Sequence, residues 1–445
     1  MSAIQQEDHS SPLAQARACW RRGDDTGARE LIARFARERL DLACTSVELR
    51  ADAYSLNSLA GILTLDRPYA GQDRLFFKYH QEEDESKGVA EYYNSKLLED
   101  AGLPVDVPLA ARSLTGEQIL LYRVRTDARL ADVCRALERG EASAFTFEEV
   151  VAAQTRLDQL VGAKYLDTLN LAPRETAAAE GLHQLFFYRL VDGAGQEPRG
   201  AGGRLRSFYV DQDFALPGLP APLPWRELAR LRWRINGRLY RDSLGELFRE
   251  AGEMLAPANL PDRCPVVTGH GDAHNANVWI EGHPDESRLV FFDPAFAGAH
   301  LPALLAEIKP TFHNIFAHPD WLYHPQDAAG RLHTQCILRG DTLELETDWT
   351  PGELRLEFLE SKMRYVWRPL LARLKKTYPG TLPDWERYVR LALFCCPTLV
   401  MNLRAGAGAH TPTTSALGLA VAVMCGSPCE GADDLISNFL FSIAP

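Results

Sequence analysis

The chain has 445 residues, 46% of them hydrophobic and 24% charged, a length and composition typical of a globular protein with two or three lobes. Its formal net charge of −12 argues against a nucleic-acid partner, because phosphate backbones bind basic surfaces. Nine scattered cysteines without metal-type spacing indicate reduced thiols, and neither a secretory signal nor an apolar run long enough to span a bilayer is visible, so we expect a cytoplasmic protein without a membrane partner.

The first 125 residues predict a helical extension followed by a small sheet. Helical spacing of apolar residues over 12–42, interrupted at Gly23, predicts a helical hairpin within an extension of residues 1–45, which could pack on the next lobe or mediate a homodimer. Residues 46–125 predict a lobe of strands and one helix. The strands are placed at 47–50, 62–65, 74–80 and 118–122, with a turn at 55–61, a loop at 66–73 and the helix at 86–101.

Residues 126–445 predict a larger, mainly helical part. Helical spacing covers 127–165 and 225–256, and most of the chain after residue 293, with long loops around 310–331. Two apolar runs, at 185–191 and 205–210, are joined by a Gly-rich link and predict a long hairpin. The fold class predicted for the whole chain is therefore α+β.

The groups that phosphoryl transfer requires are concentrated between residues 267 and 293. Asp272 is followed five residues later by Asn277, and Asp293 closes the apolar run 289–292. An acid can accept the proton of an attacking hydroxyl, while an amide and a second acid can hold the magnesium that bridges the phosphates. Each residue alone has a plainer explanation, as a loop cap, a turn residue or a strand-end polar group; the combination favours the chemical roles.

This segment resembles the catalytic loop of the aminoglycoside-phosphotransferase and choline-kinase group, distant relatives of protein kinases. The pattern His-Gly-Asp-x-His-x-x-Asn is met in full by residues 270–277, whereas Asp293-Pro294-Ala295 departs from the commoner forms after the second acid. The resemblance implies a bilobal protein-kinase-like fold, with a small antiparallel-sheet N-lobe (46–125) and a larger, mainly helical C-lobe (126–445). It also implies ATP and Mg²⁺ as cofactors, with Asp272 as the base and Asn277 and Asp293 as metal ligands.

The resemblance assigns roles in the N-lobe as well. Lys78 stands where the family keeps its phosphate-binding lysine, Glu91 at the spacing of its acidic partner, and Leu121 and Tyr122 in the hinge strand that contacts adenine. Ser58 could offer a hydroxyl or a backbone N–H to the phosphates, although a plain hairpin turn explains its segment nearly as well. His270 and His274 we interpret as scaffold residues of the loop rather than as catalytic groups.

The acceptor site is the least specific part of the sequence. Polar and aromatic side chains that suit a polyhydroxyl acceptor occur in several places, including the segment 309–314. The candidates are Asp211, Asp213, His313, Trp321 and Arg364. A core aromatic explains Trp321 and a satisfied histidine explains His313 at least as well, and Arg364 could simply face the solvent.

The leading hypothesis is an enzyme that moves the γ-phosphate of ATP onto a hydroxyl of a small molecule, such as a sugar, an aminoglycoside or an amino alcohol. Nucleotidyl transfer on the same fold and a non-catalytic nucleotide-binding regulator remain alternatives. A metallophosphoesterase is disfavoured. Gly271-Asp272-Ala273-His274 matches the Gly-Asp-x-His of dinuclear hydrolases, but the further Asp-x-His, Gly-Asn-His and Gly-His-x-His elements that such a centre needs are absent from the sequence.

Overall fold

The computed structural model describes residues 11–50, 58–80, 87–112, 114, 117–191, 202–282, 286–317, 319–431 and 434–445. The chain divides into two compact units. The first unit consists of Met1–Asp100 and Pro104–Asp127, and the second of Ala101–Leu103 and Ala128–Pro445.

Over its described residues, the first unit is an antiparallel sheet with three helices. Its sheet has the strand order β1-β2-β3-β5-β4. The helices are α1 (Pro12–Arg21), α2 (Asp25–Leu40) and α3 (Lys87–Asp100), and the strands are β1 (Cys44–Arg50), β2 (Ser58–Tyr69), β3 (Gln72–His80), β4 (Ala110–Arg112) and β5 (Ile119–Arg123).

The helical hairpin predicted for residues 12–42 is present and shares a core with the sheet. Ser11 caps α1 through its hydroxyl, and Asp24 caps α2 through its carboxylate, as the sequence at both helix starts favours. Ile32 and Phe35 of α2 lie in one buried cluster with Phe77 of β3. The N-terminal helices are therefore part of the first unit's hydrophobic core.

Two boundaries predicted in this sheet are wrong. The turn expected at 55–61 and the loop expected at 66–73 are largely replaced by β2, which runs from Ser58 to Tyr69; residues 55–57 lie outside the described part of the chain. β2 pairs with β1 on one side and β3 on the other. Pairing on both edges favours the extended conformation even for small residues that have little strand preference of their own.

The second unit is mainly helical and, in the part of it that the structure describes, carries four small sheets. Its helices are α4 (Leu130–Glu138), α5 (Phe147–Thr168), α6 (Arg174–Ala179), α7 (Gly181–Phe187), α8 (Gly203–Phe208), α9 (Trp225–Leu228), α10 (Leu244–Met254), α11 (Ile308–Thr311), α12 (Pro319–Tyr323), α13 (Pro325–Ala329), α14 (Glu353–Lys362), α15 (Arg368–Thr377), α16 (Trp385–Val400), α17 (Pro412–Gly426) and α18 (Leu435–Ile443). Single helical turns of other types are Pro257–Asn259, Asn275–Asn277, Leu305–Glu307, Phe312–Phe316 and Met363–Trp367.

The strands of the second unit are β6 (Ala128–Arg129), β7 (Asn170–Pro173), β8 (Asp213–Phe214), β9 (Leu223–Pro224), β10 (Arg232–Ile235), β11 (Arg238–Tyr240), β12 (Arg263–Gly269), β13 (Val278–Glu281), β14 (Arg288–Phe291), β15 (Gly298–Pro302), β16 (Thr334–Arg339) and β17 (Thr342–Thr347). They form sheets ordered β11-β10-β17-β16, β15-β12-β7, β14-β13-β6 and β8-β9.

Three further predictions are corrected here. The apolar runs expected to form a long hairpin within 183–210 are instead in the short helices α7 and α8; the link at 192–201 lies outside the described residues. The stretch 225–256 contains β10 and β11 between its helices, and the loops expected around 310–331 are largely helical. Short apolar runs fit a buried helix and a buried strand equally well, so packing decides between them.

The predicted α+β class is confirmed, with a small antiparallel sheet in one unit and mostly helices in the other. In the second unit, β12 ends at Gly269 and the hairpin β13–β14 begins at Val278, so residues 270–277 connect two sheets. We call residues 270–277 the Asp272 loop. Among the described residues, no helix is both long and apolar enough to cross a membrane.

Candidate active site

The imidazole of His270 links the Asp272 loop to the end of β14. Its Nε2 lies 2.9 Å from the carbonyl oxygen of Phe292, and the backbone N–H of Asp272 donates to its Nδ1 at 3.3 Å. These partners require a neutral ring with its proton on Nε2, and burial lowers the pKa of His270 accordingly. The geometry agrees with the scaffold role expected for this residue.

Asn277 makes a second link between the same segments. Its side-chain Nδ2 donates to the backbone carbonyl of Asp272 at 3.0 Å, and its backbone carbonyl accepts from the N–H of Phe292 at 3.0 Å. The hairpin continues from this point, with Val278 opposite Phe291. Asn277 is therefore fixed beside the peptide that precedes Asp293, and the three residues predicted to carry the chemistry are brought together.

The oxygen atoms of Asn277 and Asp293 are suitable ligands for a magnesium ion. Because Nδ2 of Asn277 is engaged with Asp272, its oxygen faces elsewhere, and within the described part of the chain that oxygen accepts no hydrogen bond. Asp293 has a left-handed backbone with φ of 54°, a conformation that non-glycine residues rarely adopt and that occurs preferentially at functional sites. An amide oxygen and a carboxylate are the hard ligands that Mg²⁺ prefers.

Asp272 is held in a strongly charged environment. The Nζ of Lys309 lies 2.6 Å from Oδ1 of Asp272, and Nε2 of His274 lies 3.5 Å from the same oxygen. Burial by itself raises the pKa of this carboxyl, but the charge of Lys309 outweighs it and holds the pKa of Asp272 below its ordinary value. Asp272 is therefore ionised at neutral pH, as a proton acceptor must be.

The segment that supplies Lys309 also anchors the backbone of the loop. Oδ1 of Asn314 accepts from the N–H of Asn275 at 2.7 Å, and Nη1 of Arg355 donates to the carbonyl of Asn314 at 2.9 Å. Arg355 is fully buried and forms an ion pair with Glu138 at 2.6 Å. The region around 309–314, which the sequence suggested as part of the acceptor site, thus contacts the Asp272 loop directly.

A buried ion network packs against the other face of the loop. Lys362 lies 3.1 Å from Asp158 and 2.5 Å from Glu307, and Tyr165 adds a hydrogen bond to Glu307 at 3.3 Å. These four side chains line one cavity together with Gly269, His270 and Ala273. Sequence reasoning missed the network, because its members come from α5, α14 and the turn before α11 and carry no local signal.

Lys78, the predicted phosphate-binding lysine, lies in the middle of the sheet of the first unit. It is on β3, opposite Ala60 of β2 and Leu120 of β5, and only 8% of it is exposed. Leu121 and Tyr122 follow on β5 and are also buried. The strand positions predicted for these residues are confirmed.

The other two nucleotide-site candidates belong to elements of the first unit. Ser58 begins β2, and Glu91 lies in α3, but the side chains of both fall outside the described part of the structure. Their roles stay predictions.

The acceptor candidates separate into two groups. His313 lies beside the Asp272 loop: its ring centre is 5.5 Å from that of His274, and its Nδ1 is 2.9 Å from the hydroxyl of Tyr323. Burial lowers the pKa of His313, so its ring is neutral. Trp321 is fully buried in the helix that carries Tyr323.

The remaining acceptor candidates have their described contacts elsewhere. Asp213 is in the β8–β9 hairpin, two residues after Asp211, whose φ is 60°. Arg364 is exposed in the turn Met363–Trp367, with its guanidinium 5.2 Å from the ring centre of Tyr365. Among the described contacts, none joins these three residues to the Asp272 loop, and their roles stay predictions.

Comparison with known proteins finds similarity at the level of structure only. No family model matches the chain, and no curated protein does. The crystal structure of choline kinase from Cryptosporidium parvum Iowa II matches with a TM-score of 0.38 and 10% identity, covering 89% of this chain and 94% of that one. The microcompartment-associated aminopropanol kinase matches with a TM-score of 0.40 and 13% identity, covering 88% and 94%.

Proposed function

We propose that this chain is an ATP- and Mg²⁺-dependent phosphotransferase that moves the γ-phosphate onto a hydroxyl group of a small molecule. The observation that carries the proposal is the set of hydrogen bonds through which His270 and Asn277 join Asp272 to the peptide before Asp293. Phosphoryl transfer depends on positioning and on charge neutralisation more than on covalent chemistry by the protein. A buried base and two oxygen ligands for the metal, held close together, provide both the positioning and the charge neutralisation.

In this proposal Asp272 acts as the base. It accepts the proton of the acceptor hydroxyl while that oxygen bonds to the γ-phosphorus and the bond between the γ-phosphorus and the bridging oxygen of ADP breaks. The low pKa of Asp272 makes it a weak base, which is sufficient because the hydroxyl loses its proton late, as its bond to phosphorus forms.

Asn277 and Asp293 would hold the magnesium ion. When bound, the ion offsets the negative charge of the phosphates and favours departure of ADP. In the first unit, we propose that Lys78 contacts the phosphates with Glu91 as its partner, that Leu121 and Tyr122 contact adenine, and that Ser58 donates to a phosphate.

We propose three classes of acceptor: sugars, aminoglycosides and amino alcohols. Amino alcohols enter the panel also because of the two kinases named above, one of choline and one of aminopropanol. His313 beside the Asp272 loop is the acceptor candidate that the described contacts support best.

An assay of products tests the proposal. The purified chain is incubated with ATP, Mg²⁺ and a panel of sugars, aminoglycosides and amino alcohols, and nucleotides and acceptors are resolved by chromatography and mass spectrometry. We expect ADP together with one acceptor that has gained a phosphate. AMP with an adenylylated acceptor would instead establish nucleotidyl transfer, and nucleotide binding without turnover across the panel would favour the regulator.

A further inference from the structure

Lys309 lies against Asp272 although the two residues are far apart in the chain. The Nζ of Lys309 is 2.6 Å from Oδ1 of Asp272, and only 5% of Lys309 and 9% of Asp272 are exposed. A carboxylate withdrawn from water to this degree needs a charged or hydrogen-bonding partner, which the ammonium group supplies. The charge of the proposed base is thus balanced within the second unit.

Packing determines where this ammonium group lies. Lys309 belongs to α11, and the helical turn that follows, Phe312–Phe316, is bonded to the Asp272 loop through Asn314 and Asn275 at 2.7 Å. The Nζ also lies 5.1 Å from the ring centre of Phe296, a cation–π contact. The ammonium group is therefore placed by the packing of this segment and by the ring of Phe296 as well as by its ion pair.

The described contacts of the Asp272 carboxylate share one oxygen. Lys309 and His274 both approach Oδ1, at 2.6 and 3.5 Å. An ion pair to one oxygen restrains the rotation of the carboxylate about its Cβ–Cγ bond and so limits the directions in which the second oxygen can point. Base catalysis needs this order, because the accepting oxygen must lie within hydrogen-bond distance of the hydroxyl when the phosphoryl group arrives.

We propose that Lys309 is a positioning residue for the base: it binds Oδ1 of Asp272 and leaves Oδ2 to accept the proton of the acceptor hydroxyl. This inference rests on the proposed function. It assigns Lys309 an effect on turnover that acts through Asp272. A lysine that serves only to stabilise the fold through this ion pair would affect the free energy of unfolding without lowering the kcat of the folded enzyme.

A double-mutant cycle distinguishes the two roles. The variants are Lys309→Met, which keeps the length of the side chain and removes its charge, Asp272→Asn, and the combination of both. Lys309→Arg tests whether charge restores activity, and Lys376→Met, at an exposed position, is the control. For each variant, kcat and the KM for ATP are measured from ADP formation with the best acceptor, by single turnover where rates are low, and nucleotide affinity is measured by calorimetry.

We expect Lys309→Met to lower kcat at least about tenfold, within the range found for groups that serve proton transfer, while the KM for ATP changes less than about threefold. Lys309→Arg should recover part of the loss. In the Asp272→Asn background, the lysine substitution should lower kcat further by less than about threefold, because residues that act as a unit are not additive.

Other outcomes overturn the inference, and they separate it from the proposed function. If the unmodified chain forms ADP and Lys309→Met retains its kcat, the positioning role is wrong while the phosphotransferase stands. Equal losses in both backgrounds would also contradict it, since Lys309 would then act independently of Asp272. If the unmodified chain forms no ADP with any acceptor, the proposed function and this inference fall together.

Discussion

The ring of His270 and the carbonyl oxygen of Phe292, 2.9 Å apart, hold together the two segments on which the proposed chemistry depends. Through its other nitrogen the same ring accepts the backbone N–H of Asp272. The base and the second acid are thereby placed by one neutral imidazole that takes no part in proton transfer.

Removing this link should affect turnover more than nucleotide binding. We expect His270→Ala to lower kcat about a hundredfold, because a displacement of about 1 Å at the reacting groups has a cost of this size. It should also lower the free energy of unfolding by about 1–3 kcal/mol through the buried backbone groups left without partners. Steady-state kinetics and urea denaturation measure the two effects. The exposed His333→Ala is the control, and equal kcat values for both variants would contradict the scaffold role.

Gly271 is required at its position for two reasons that can be separated. Its φ is 73°, and a Cβ atom there would lie 2.3 Å from the carbonyl oxygen of Phe296. Gly340 also has a positive φ, of 61°, but no atom outside the adjacent residues lies within 4 Å of the place that a Cβ atom would take there. Gly340→Ala should therefore cost only the backbone strain, about 1–2 kcal/mol of unfolding free energy.

Gly271→Ala should cost clearly more than Gly340→Ala and should also abolish turnover, because Phe296 must move and it supports Lys309. Chemical denaturation of the two variants gives the comparison. Equal losses of unfolding free energy in Gly271→Ala and Gly340→Ala would contradict this account, because they would mean that the backbone of Phe296 moves without an energetic penalty.

The ion network beneath the loop should be essential for folding. Lys362 is 5% exposed in its side chain and lies between Asp158 and Glu307. Lys362→Met leaves two buried carboxylates without their cation and should lower the free energy of unfolding by about 3–5 kcal/mol. Arg249→Met, which breaks an ion pair between side chains that are both 60% exposed, should cost less than about 1 kcal/mol. Similar values for the two variants, from urea denaturation, would contradict this account.

Stability should fall as the pH drops below about 6.5, the ordinary pKa of histidine in an unfolded chain. Burial lowers the pKa of His183 to about 4 in the folded state. At a pH between these two pKa values, His183 binds a proton in the unfolded chain but not in the folded one. The stability that the neutral ring contributes is therefore complete above the unfolded pKa and is lost progressively as the pH falls towards the folded pKa.

The substitution His183→Leu should therefore flatten the pH dependence of unfolding. We expect the change in stability between pH 7 and pH 4 to shrink by about 3 kcal/mol relative to the unmodified chain. His333→Leu, on the surface, is the matched control. A His183→Leu profile parallel to that of the unmodified chain would show that burial does not lower the pKa of His183.

The sequence predicted the parts of this protein whose signals are local. The helices α1 and α2 were predicted correctly because their apolar spacing lies within single segments. The roles of Asp272, Asn277 and Asp293 were predicted from a short motif and stay predictions. The hairpin β16–β17 was missed although Gly340-Asp341 marks its turn, since neighbouring helical patterns dominated the interpretation.

Contacts between distant segments could not be predicted. The pairing of Lys309 with Asp272 and of Lys362 with Asp158 depends on where α11, α14 and α5 pack, and lysine in a sequence is most often a solvated surface charge. Their burial follows from tertiary structure alone. The pairing of Lys309 with Asp272 nevertheless decides the charge state of the predicted base.

The most direct test of the account is the turnover of Asp272→Ala with Mg²⁺-ATP and the identified acceptor, measured beside its nucleotide affinity. We predict that kcat falls at least about a thousandfold, within the range for loss of a general base, while the dissociation constant of the nucleotide changes little. Turnover equal to that of the unmodified chain would contradict the assignment of Asp272 as the base.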